Sequence, residues 1–443
     1  MFVVEAYNPE AAAVTATLSL RPPPPADTAF QHMLEFAPGY NRLLVPRNAI
    51  AARIDLAKPF LVQIEPHETE REVTLYFGLL DFAHLTATAT PPGPRLAAVE
   101  PGSTAPLKCV VWDLDNTMWQ GTLLEDGVEG LRLREDAVQL VRELDRRGVI
   151  NSIASKNHPS DALVALARFG IAEYFLCAQV SWGPKSAAIT EIARRLNIGV
   201  DSLAFIDDQP FELAEVAAAH PKVVTVPAES MGVLLAHPRL DLPVTAESQR
   251  RRSLYQVELA RDAAEEQAGG DYLAFLRSCG LELRIRPLAE GTVTRVYELA
   301  QRTNQMNFSG NRYPQAAIAA MVGDPEVDAL VLSARDRFGD YGIIGFAVID
   351  HATATLRDLM MSCRIQAKHV DRAFLVFALE RYSSEGRHLT VLYRQTERNR
   401  VAAQLFWDFG FTGEPPAEGV HTLVYDGARL GSPKQDVVRV VAE

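Results

Sequence analysis

The chain has 443 residues, of which 48% are hydrophobic and 23% are charged, and its formal net charge is −12. This length predicts two or three domains with full hydrophobic cores, while the acidic balance argues against general nucleic-acid binding, because phosphate backbones require clustered Lys and Arg. No apolar run approaches the roughly 20 residues of a membrane helix and the first residues lack the regions of a signal peptide, so we expect a cytoplasmic protein without a membrane partner.

Residues 1–85 predict a small β-rich accessory domain. Apolar or alternating runs are separated by turn residues, as in AVTATLSL, RLLVPR, FLVQIEP and EVTLYFGLL, and this pattern is typical of short strands. We therefore expect a β-sandwich-like unit. The stretch 86–106 is rich in Pro, Gly, Ala and Thr and has no sustained period, which predicts a linker.

Residues 107–240 alternate strand with helix. LKCVVWDLD, INSIAS, YFLCAQV and SLAFIDD have the pattern of buried strands, and amphipathic segments lie between them. This alternation predicts a parallel sheet with helices on both faces. Since ligands of such folds bind at the carboxyl ends of the strands, the polar residues that end VVWDLD, INSIAS and LAFIDD are expected to converge on one crevice.

Two carboxylates, Asp113 and Asp115, end the first of these strands. One of them can attack phosphorus to form an aspartyl phosphate, and the other can protonate the departing oxygen and later activate water. Bare carboxylates repel phosphate, so a divalent cation is required between them. Mg²⁺ held by one or two carboxylates and waters suits this role.

The later elements supply matching groups. Ser155 ends its strand with a hydroxyl that can hold a phosphate oxygen, and Lys185 begins a helix with a cation that can offset charge in the transition state. Asp207, Asp208 and, about one helical turn on, Glu212 add carboxylates. A single Asp at a strand end is more often a cap or turn residue, but four matching elements in order favour a catalytic site.

In this order the residues resemble the haloacid dehalogenase (HAD) superfamily, in which the nucleophile motif DLDNT is followed by a Ser, a Lys and a DD motif. The resemblance implies a HAD-like Rossmannoid parallel sheet, with Asp113 as nucleophile and Asp115 as acid/base. Too few residues follow Thr117 and Ser155 for a large cap, so we expect the substrate to be delivered by the neighbouring domain or by a partner protein. The implied magnesium ligands are Asp113, Asp115, Asp207 and Asp208, and the implied substrate-binding residues are Thr117, Lys156 and Asn157.

The remainder of the chain predicts a connector and a second α/β domain. Residues 241–275 are helical and charged, and we interpret their tight basic run, QRRR at 249–252, as a solvated helix face. Residues 276–443 mix strands and helices with a largely antiparallel start.

Cys363 is the candidate nucleophile of this second domain. It lies in MMSCRIQAKHV, after a predicted strand and before a predicted helix, where helix amides can stabilise a thiolate. Asn304, Asn307 and His369 are candidate partners of the thiol. The alternative is that Cys363 is a small buried packing residue. Because the four cysteines lack CxxC spacing, all are predicted to be free thiols.

The second domain resembles acyl-CoA N-acyltransferases of the GNAT type, with NRVAAQLFWDFGF similar to their late helix and turn. Their pyrophosphate loop reads Arg-x-x-Gly-x-Gly/Ala, whereas this chain runs from Arg364 to His369 and departs at both small positions, most strongly at His369. Ordinary CoA binding is therefore not expected. A pantetheine arm on a carrier protein fits instead, with Arg364 and His369 as candidate substrate-binding residues.

Together the motifs KCVVWDLDNTMWQGTLLEDG, SKN, DDQPFE, RTNQMN, DRFGDYG and MSCR resemble the FkbH-like proteins. The resemblance implies that a cysteine takes the glyceryl group of 1,3-bisphosphoglycerate, that the HAD-like site removes phosphate with Mg²⁺, and that the glyceryl group passes to an acyl carrier protein in polyketide biosynthesis. Cys363 is preferred over Cys109, which lies mid-strand. Two alternatives remain: a plain phosphatase whose C-terminal domain only binds substrate, and a non-enzymatic carrier-docking module.

Overall fold

The computed structural model describes residues 1–22, 29–67, 73–83, 105–268, 271–383, 387–396, 399–400, 402–413, 419–425 and 436–443. The predicted linker, 86–106, lies outside the described residues except for its last two positions. Within the described ranges, no helix combines the length and the apolar character needed to cross a membrane.

The N-terminal unit is a sandwich of two three-stranded antiparallel sheets, as predicted. One sheet has the order β4-β1-β6 and the other β3-β2-β5, and their inner faces share one core that includes Phe2, Val4, Leu18 and Leu20. The sequence pattern missed the first and third strands. Its elements are β1 (Phe2–Asn8), β2 (Val14–Arg21), β3 (Phe30–Phe36), β4 (Gly39–Val45), α1 (Arg47–Ala51), β5 (Leu61–Pro66) and β6 (Tyr76–Phe82).

The second unit contains the predicted parallel sheet, whose five strands have the order β11-β10-β7-β12-β13. Between β7 and α3 the chain carries only two paired strands of two residues each, with one short helix between them, so this described segment holds no large cap. The elements are β7 (Cys109–Trp112), β8 (Trp119–Gln120), α2 (Leu123–Gly130), β9 (Arg132–Leu133), α3 (Glu135–Arg146), β10 (Ile150–Ser155), α4 (Pro159–Arg168), β11 (Gln179–Val180), α5 (Lys185–Arg195), β12 (Leu203–Asp207), α6 (Pro210–Ala219) and β13 (Val224–Pro227).

The parallel sheet has two functionally different edges. We call the edge at which β7, β10 and β12 end the carboxyl edge, and the opposite edge, at which they begin, the amino edge. Asp113 follows β7 at the carboxyl edge, whereas Lys108 precedes β7 at the amino edge. Five residues of extended chain separate them by about 17 Å.

The sandwich packs against α6, the helix that follows the DD motif. The ring of Phe211 on α6 lies 5.8 Å from that of Tyr40, centroid to centroid, and a Cβ atom added at Gly78 would lie 1.9 Å from Cζ of Phe211. Only a glycine therefore lets the sandwich strand β6 approach this ring. The sandwich is thus fixed to the helix that carries Glu212.

Three helices connect this unit to the C-terminal one: α7 (Ala246–Gln249), α8 (Arg251–Ala268) and α9 (Tyr272–Cys279). The interpretation of QRRR as a solvated face is wrong for two of its arginines. Arg251 forms an ion pair with the buried Glu298, and Arg252 bonds to Asp145 at 3.0 Å and stacks on Tyr174. The run is basic because it faces acids on both neighbouring units.

The C-terminal unit is an eight-stranded sheet with the order β19-β20-β18-β17-β16-β15-β14-β21. Its start, from β14 to β17, is antiparallel as predicted. The elements are β14 (Glu282–Pro287), α10 (Val293–Arg302), α11 (Gln315–Ala319), β15 (Val327–Asp336), β16 (Gly339–Asp350), β17 (Thr355–Met361), α12 (Val370–Tyr382), β18 (Thr390–Arg394), α13 (Gln404–Asp408), β19 (Phe411–Thr412), β20 (Val420–Tyr425) and β21 (Arg439–Ala442).

Strands β17 and β18 diverge, and a segment of the chain itself fills the opening between them. In the described part of the chain they pair in parallel at Thr355–Thr390 and Leu356–Val391. Beyond that point the amide of Phe308 donates to the carbonyl of Leu359 at 3.0 Å, and the carbonyl of Phe308 accepts from the amide of Arg394 at 3.0 Å. The polar motif RTNQMNFSGNRY therefore completes the sheet.

Candidate functional site

The carboxyl-edge site begins where the buried strand β7 ends. All four residues of β7 are buried, and Asp113 follows with only 6% of its surface exposed. Asn116 then adopts a φ of 54°, which asparagine tolerates, and the chain turns so that the amide of Thr117 donates to the carbonyl of Leu114. The turn brings Asp115 and Thr117 back toward the neighbouring strands.

One buried cation lies between two aspartates of this site. Nζ of Lys185, at the start of α5, donates to Oδ1 of Asp113 at 2.5 Å and to Oδ2 of Asp207 at 2.9 Å. Burial by itself lowers the pKa of Lys185, but the charges of the two aspartates outweigh it and raise the pKa above its usual value. The lysine therefore stays charged and holds the ends of β7 and β12 together.

Three carboxylates meet at this edge. Side-chain oxygens of Asp113, Asp207 and Asp208 all lie within 4.8 Å of one another. Burial raises the pKa of Asp207 to about 7, and burial followed by the charge of Asp113 raises that of Asp208. Lys185 alone does not neutralise three acids, and these hard oxygen donors are the type that Mg²⁺ prefers. The donor set therefore fits the predicted magnesium ion.

Asp115, the fourth predicted ligand, has its carboxylate outside that group. Oδ1 accepts from Nε1 of Trp119 at 2.9 Å and from the amide of Leu123 at 3.0 Å, and Oδ2 accepts from Nδ2 of Asn157 at 3.0 Å. These three bonds fix the side chain beside the crevice. Such a restrained carboxyl group suits the predicted acid/base role better than that of a side-chain ligand.

The remaining predicted residues of the carboxyl edge lie close by. Asn157 also donates to Oγ of Ser155 at 3.1 Å, which links Ser155 to Asp115. Lys156 pairs with Glu212 on α6 at 2.6 Å. The hydroxyl of Thr117 is fully buried and has no hydrogen-bond partner in the described parts of the chain.

Cys363 lies at the amino edge, in a cavity between the parallel sheet and the C-terminal unit. We call this cavity, of about 260 Å³, the thiol cavity. Asn304 lines it together with Cys363, Arg364 and Lys108. Nδ2 of Asn197, from the parallel-sheet unit, donates to the carbonyl of Cys363 at 3.0 Å, so the two units meet at the thiol.

Cys363 is the least buried of the four cysteines. Cys109 is fully buried in β7, and burial raises the pKa of its thiol. These environments favour Cys363 as the reactive thiol. However, Cys363 begins a short 3₁₀ helix, Cys363–Ile365, and α12 starts only at Val370. The N-terminus of α12 therefore does not stabilise this thiolate, contrary to the sequence-based expectation.

Two candidate partners of the thiol do not line the cavity. Asn307 is drawn into the opening between β17 and β18, where its carbonyl accepts from Asn399 at 2.8 Å and its side chain bonds to the carbonyl of Asn311 at 2.9 Å. His369 precedes α12 with a φ of 62° and lies outside the cavity lining. The structure thus brings Asn304 to Cys363, but neither Asn307 nor His369.

Sequence reasoning missed most of the cations of the thiol cavity: Lys108, Arg251, Arg295 and Arg302. Two signals were present. Lys108 directly precedes a predicted strand, and therefore lies at its amino end. Arg295 and Arg302 are seven residues apart on a predicted helix, and therefore share one face. Neither signal identifies the partner surface across the domain boundary.

Comparisons with solved structures returned phosphatase and acetyltransferase folds. The N-terminal part of BF1531 from Bacteroides fragilis, which contains a phosphatase domain and was crystallised with Mg, is 28% identical over 35% of this chain and 40% of its own, with a TM-score of 0.26. A Vibrio cholerae spermidine N-acetyltransferase SpeG chimera with hSSAT is 15% identical over 33% of this chain and 97% of its own (TM-score 0.26). The PaiA N-acetyltransferase of Thermoplasma acidophilum, in complex with coenzyme A, is 14% identical over 33% and 99% (TM-score 0.25).

No protein-family model matches the chain, and no curated protein matches it. Each structural alignment spans about a third of this chain, and the BF1531 match spans less than half of that chain. The function is therefore inferred from the geometry of the chain itself.

Proposed function

We propose that the chain is a Mg²⁺-dependent HAD-type phosphatase joined to an acyltransferase domain, and that it transfers the glyceryl group of 1,3-bisphosphoglycerate to an acyl carrier protein. The observation that carries the phosphatase assignment is the buried cluster in which Lys185 lies 2.5 Å from Asp113 and 2.9 Å from Asp207, with Asp208 beside them. A nucleophile, a fixed cation and a carboxylate group able to hold a metal are together at one strand edge.

At the carboxyl edge, Oδ of Asp113 attacks phosphorus, the bond from phosphorus to the leaving oxygen breaks, and Asp115 gives its proton to that oxygen. Asp115 then takes a proton from water, which attacks phosphorus and frees Asp113. Lys185 holds Asp113 in position and offsets negative charge. Mg²⁺, when held by Asp113, Asp207 and Asp208, neutralises phosphate charge that the carboxylates would otherwise repel.

At the amino edge, the thiolate of Cys363 attacks the acyl carbon of the acyl phosphate. The carboxyl edge removes the 3-phosphate of 1,3-bisphosphoglycerate by the steps above, so the acyl group that reaches Cys363 is glyceryl. A C–S bond forms, the C–O bond to the 1-phosphate breaks, and that phosphate leaves with the electron pair, while the thiol proton passes to solvent. The pantetheine thiol of the carrier protein then attacks the thioester, which restores Cys363. The exposure of Cys363 in a cavity and the burial of Cys109 support this choice of nucleophile.

Intact-mass spectrometry after incubation with 1,3-bisphosphoglycerate and Mg²⁺ tests the proposal, with and without a holo carrier protein. We expect a glyceryl-sized adduct that disappears in Cys363→Ala, persists in the control Cys279→Ala, and moves to the carrier when the carrier is added. Hydrolysis of p-nitrophenyl phosphate, which does not involve the thiol, should fall at least 10³-fold in Asp113→Asn and stay at the wild-type rate in the exposed control Asp241→Asn. An adduct on no cysteine would remove the acyl-transfer half of the proposal.

The second candidate is a plain phosphatase whose C-terminal unit binds substrate or carrier. The observation that favours it is that Cys363 and Asp113 lie toward opposite ends of β7: Cys363 lines its cavity together with Lys108, which about 17 Å of extended chain separates from Asp113. It predicts Asp113-dependent phosphate release with no acyl adduct under any condition.

A further inference from the structure

The thiol cavity holds more positive charge than its own acids neutralise. Three arginines of the lining share two acids: Glu298 pairs with Arg251, Arg295 and Arg302, and Arg295 also bonds to Glu247. The lining further contains Asp201 and two more cations, Lys108 and Arg364. Five cations of the lining are therefore balanced by three acids, Asp201 within the lining and Glu247 and Glu298 outside it, which leaves a surplus of two positive charges.

The surplus is concentrated on Lys108 and Arg364. Within the described ranges neither side chain forms an ion pair. Arg364 is buried, with only 8% of its surface exposed. Its Nε donates to Oγ of Ser362 at 3.3 Å, and its Nη1 has no hydrogen-bond partner in the described part of the chain. A buried guanidinium donor without a partner is costly unless a ligand completes it.

The pKa values of three cations of the thiol cavity are all lowered. Burial, followed by neighbouring arginines, lowers the pKa of Arg364, and burial together with Arg302 and Arg251 lowers that of Lys108. Burial and the charge of Arg251 likewise lower the pKa of Arg302 to about 9. Each of these cations is destabilised by its neighbours, and a bound anion would relieve that repulsion.

We propose that the thiol cavity is a second, metal-independent anion site, which binds the dianionic phosphate of a small phosphorylated metabolite at Arg364 and Lys108, next to Cys363. A dianion matches the surplus of two charges, and the planar guanidinium suits phosphate oxygens. The volume of 260 Å³ lies below the usual range of about 300–1,000 Å³ for drug-sized ligands, which favours a metabolite over the phosphate of a long pantetheine arm. The reaction of the bound metabolite with Cys363 rests on the proposed function, whereas the binding of its phosphate does not.

Isothermal titration of 3-phosphoglycerate into the full chain in EDTA tests the site, because the carboxyl edge without metal repels phosphate. We expect binding that weakens at least tenfold in Arg364→Met, is unchanged in the exposed control Arg250→Met, and is at least tenfold weaker for glycerate, which lacks the phosphate. Equal binding of glycerate, or Arg364→Met within twofold of wild type, would overturn the proposal.

A second measurement needs no variant. Saturating 3-phosphoglycerate in EDTA should slow iodoacetamide alkylation of Cys363 at least fivefold, as followed by peptide mass spectrometry; unchanged alkylation would contradict the site. In competition, tighter binding of 4′-phosphopantetheine than of 3-phosphoglycerate would overturn the metabolite assignment. If protection is seen but 1,3-bisphosphoglycerate gives no adduct, the proposed acyl transfer fails while the anion site stands.

Discussion

The two edges of the parallel sheet handle charge in opposite ways. At the carboxyl edge three carboxylates, Asp113, Asp207 and Asp208, surround one ammonium group. At the amino edge Lys108 and four arginines exceed their acids around a thiol. An edge with excess carboxylate must acquire a cation before phosphate can approach, whereas an edge with excess guanidinium attracts phosphate directly. One ligand class is thus expected to require metal at one end of the sheet and no metal at the other.

Metal removal should produce the largest difference between the edges. In EDTA we expect hydrolysis of p-nitrophenyl phosphate to fall at least 10³-fold, because the acid cluster then repels the substrate, and to recover when Mg²⁺ is added. Protection of Cys363 by 3-phosphoglycerate should change less than twofold in the same samples. Hydrolysis that continues in EDTA, or protection of Cys363 that requires Mg²⁺, would show that the two edges do not differ in their need for metal.

Replacing the carboxyl-edge cation should have the next largest effect. Lys185→Met leaves two buried aspartates without their shared partner, so we expect phosphate release to fall about 10²- to 10³-fold. Release rates with saturating Mg²⁺ measure this loss, and the exposed Lys222→Met is the matched control. Release within threefold of wild type in Lys185→Met would show that the buried cation is structural only.

Glu298, the acid that three arginines of the thiol cavity share, should make the stability of the protein depend on pH. Burial raises the pKa of Glu298, but the charges of Arg251, Arg295 and Arg302 outweigh it and lower the pKa from 4.5 to about 2. Because the folded-state value is the lower one, Glu298 stabilises the protein fully above about pH 4.5, and this contribution, about 3 kcal/mol, is lost as the pH falls toward 2.

Glu298→Gln should therefore lower the free energy of unfolding by about 3–5 kcal/mol at pH 7, since it leaves the arginines without a buried counter-charge. Urea unfolding at pH 6, 4.5 and 3 should show a smaller loss on acidification for the variant than for wild type. The exposed control, Glu290→Gln, should follow wild type. Parallel losses for wild type and Glu298→Gln would show that folding does not lower the pKa of Glu298.

The same comparison explains what the sequence could predict. Asp113, Ser155, Lys185 and Asp207 each stand at the end or start of a locally recognisable strand or helix, so their convergence follows from the rule that parallel strands end together. The motif order then suggested the chemistry. Local pattern was sufficient because each residue's position depends on its own element.

The thiol cavity depends on tertiary pairing that no local pattern encodes. The four cations Lys108, Arg251, Arg302 and Arg364 come from the residue before β7, the connector helix α8, helix α10 and the short 3₁₀ helix after β17. Their proximity follows from how two units dock. Arg251 was misread as solvated because its partner, Glu298, lies 47 positions away. Asn307 was wrongly predicted to lie beside the thiol, because it lies instead in the opening between the diverging strands β17 and β18. The sequence therefore predicted the second α/β domain but not the cavity, and the role of Cys363 as its nucleophile stays a prediction.

The smallest effect is expected from the sandwich, whose attachment to α6 tests whether the carboxyl edge depends on a third unit. In Gly78→Val the added Cβ meets the ring of Phe211, where it would lie 1.9 Å from Cζ, so the contact should weaken by about 1–3 kcal/mol through overpacking. Calorimetry should show this as an earlier unfolding transition, which the exposed control Leu80→Val should lack. Phosphate release should stay within twofold, because Lys185 and the amide of Gln209 hold Asp207 without the sandwich. A tenfold loss of release in Gly78→Val would instead show that the sandwich helps to shape the carboxyl edge through α6.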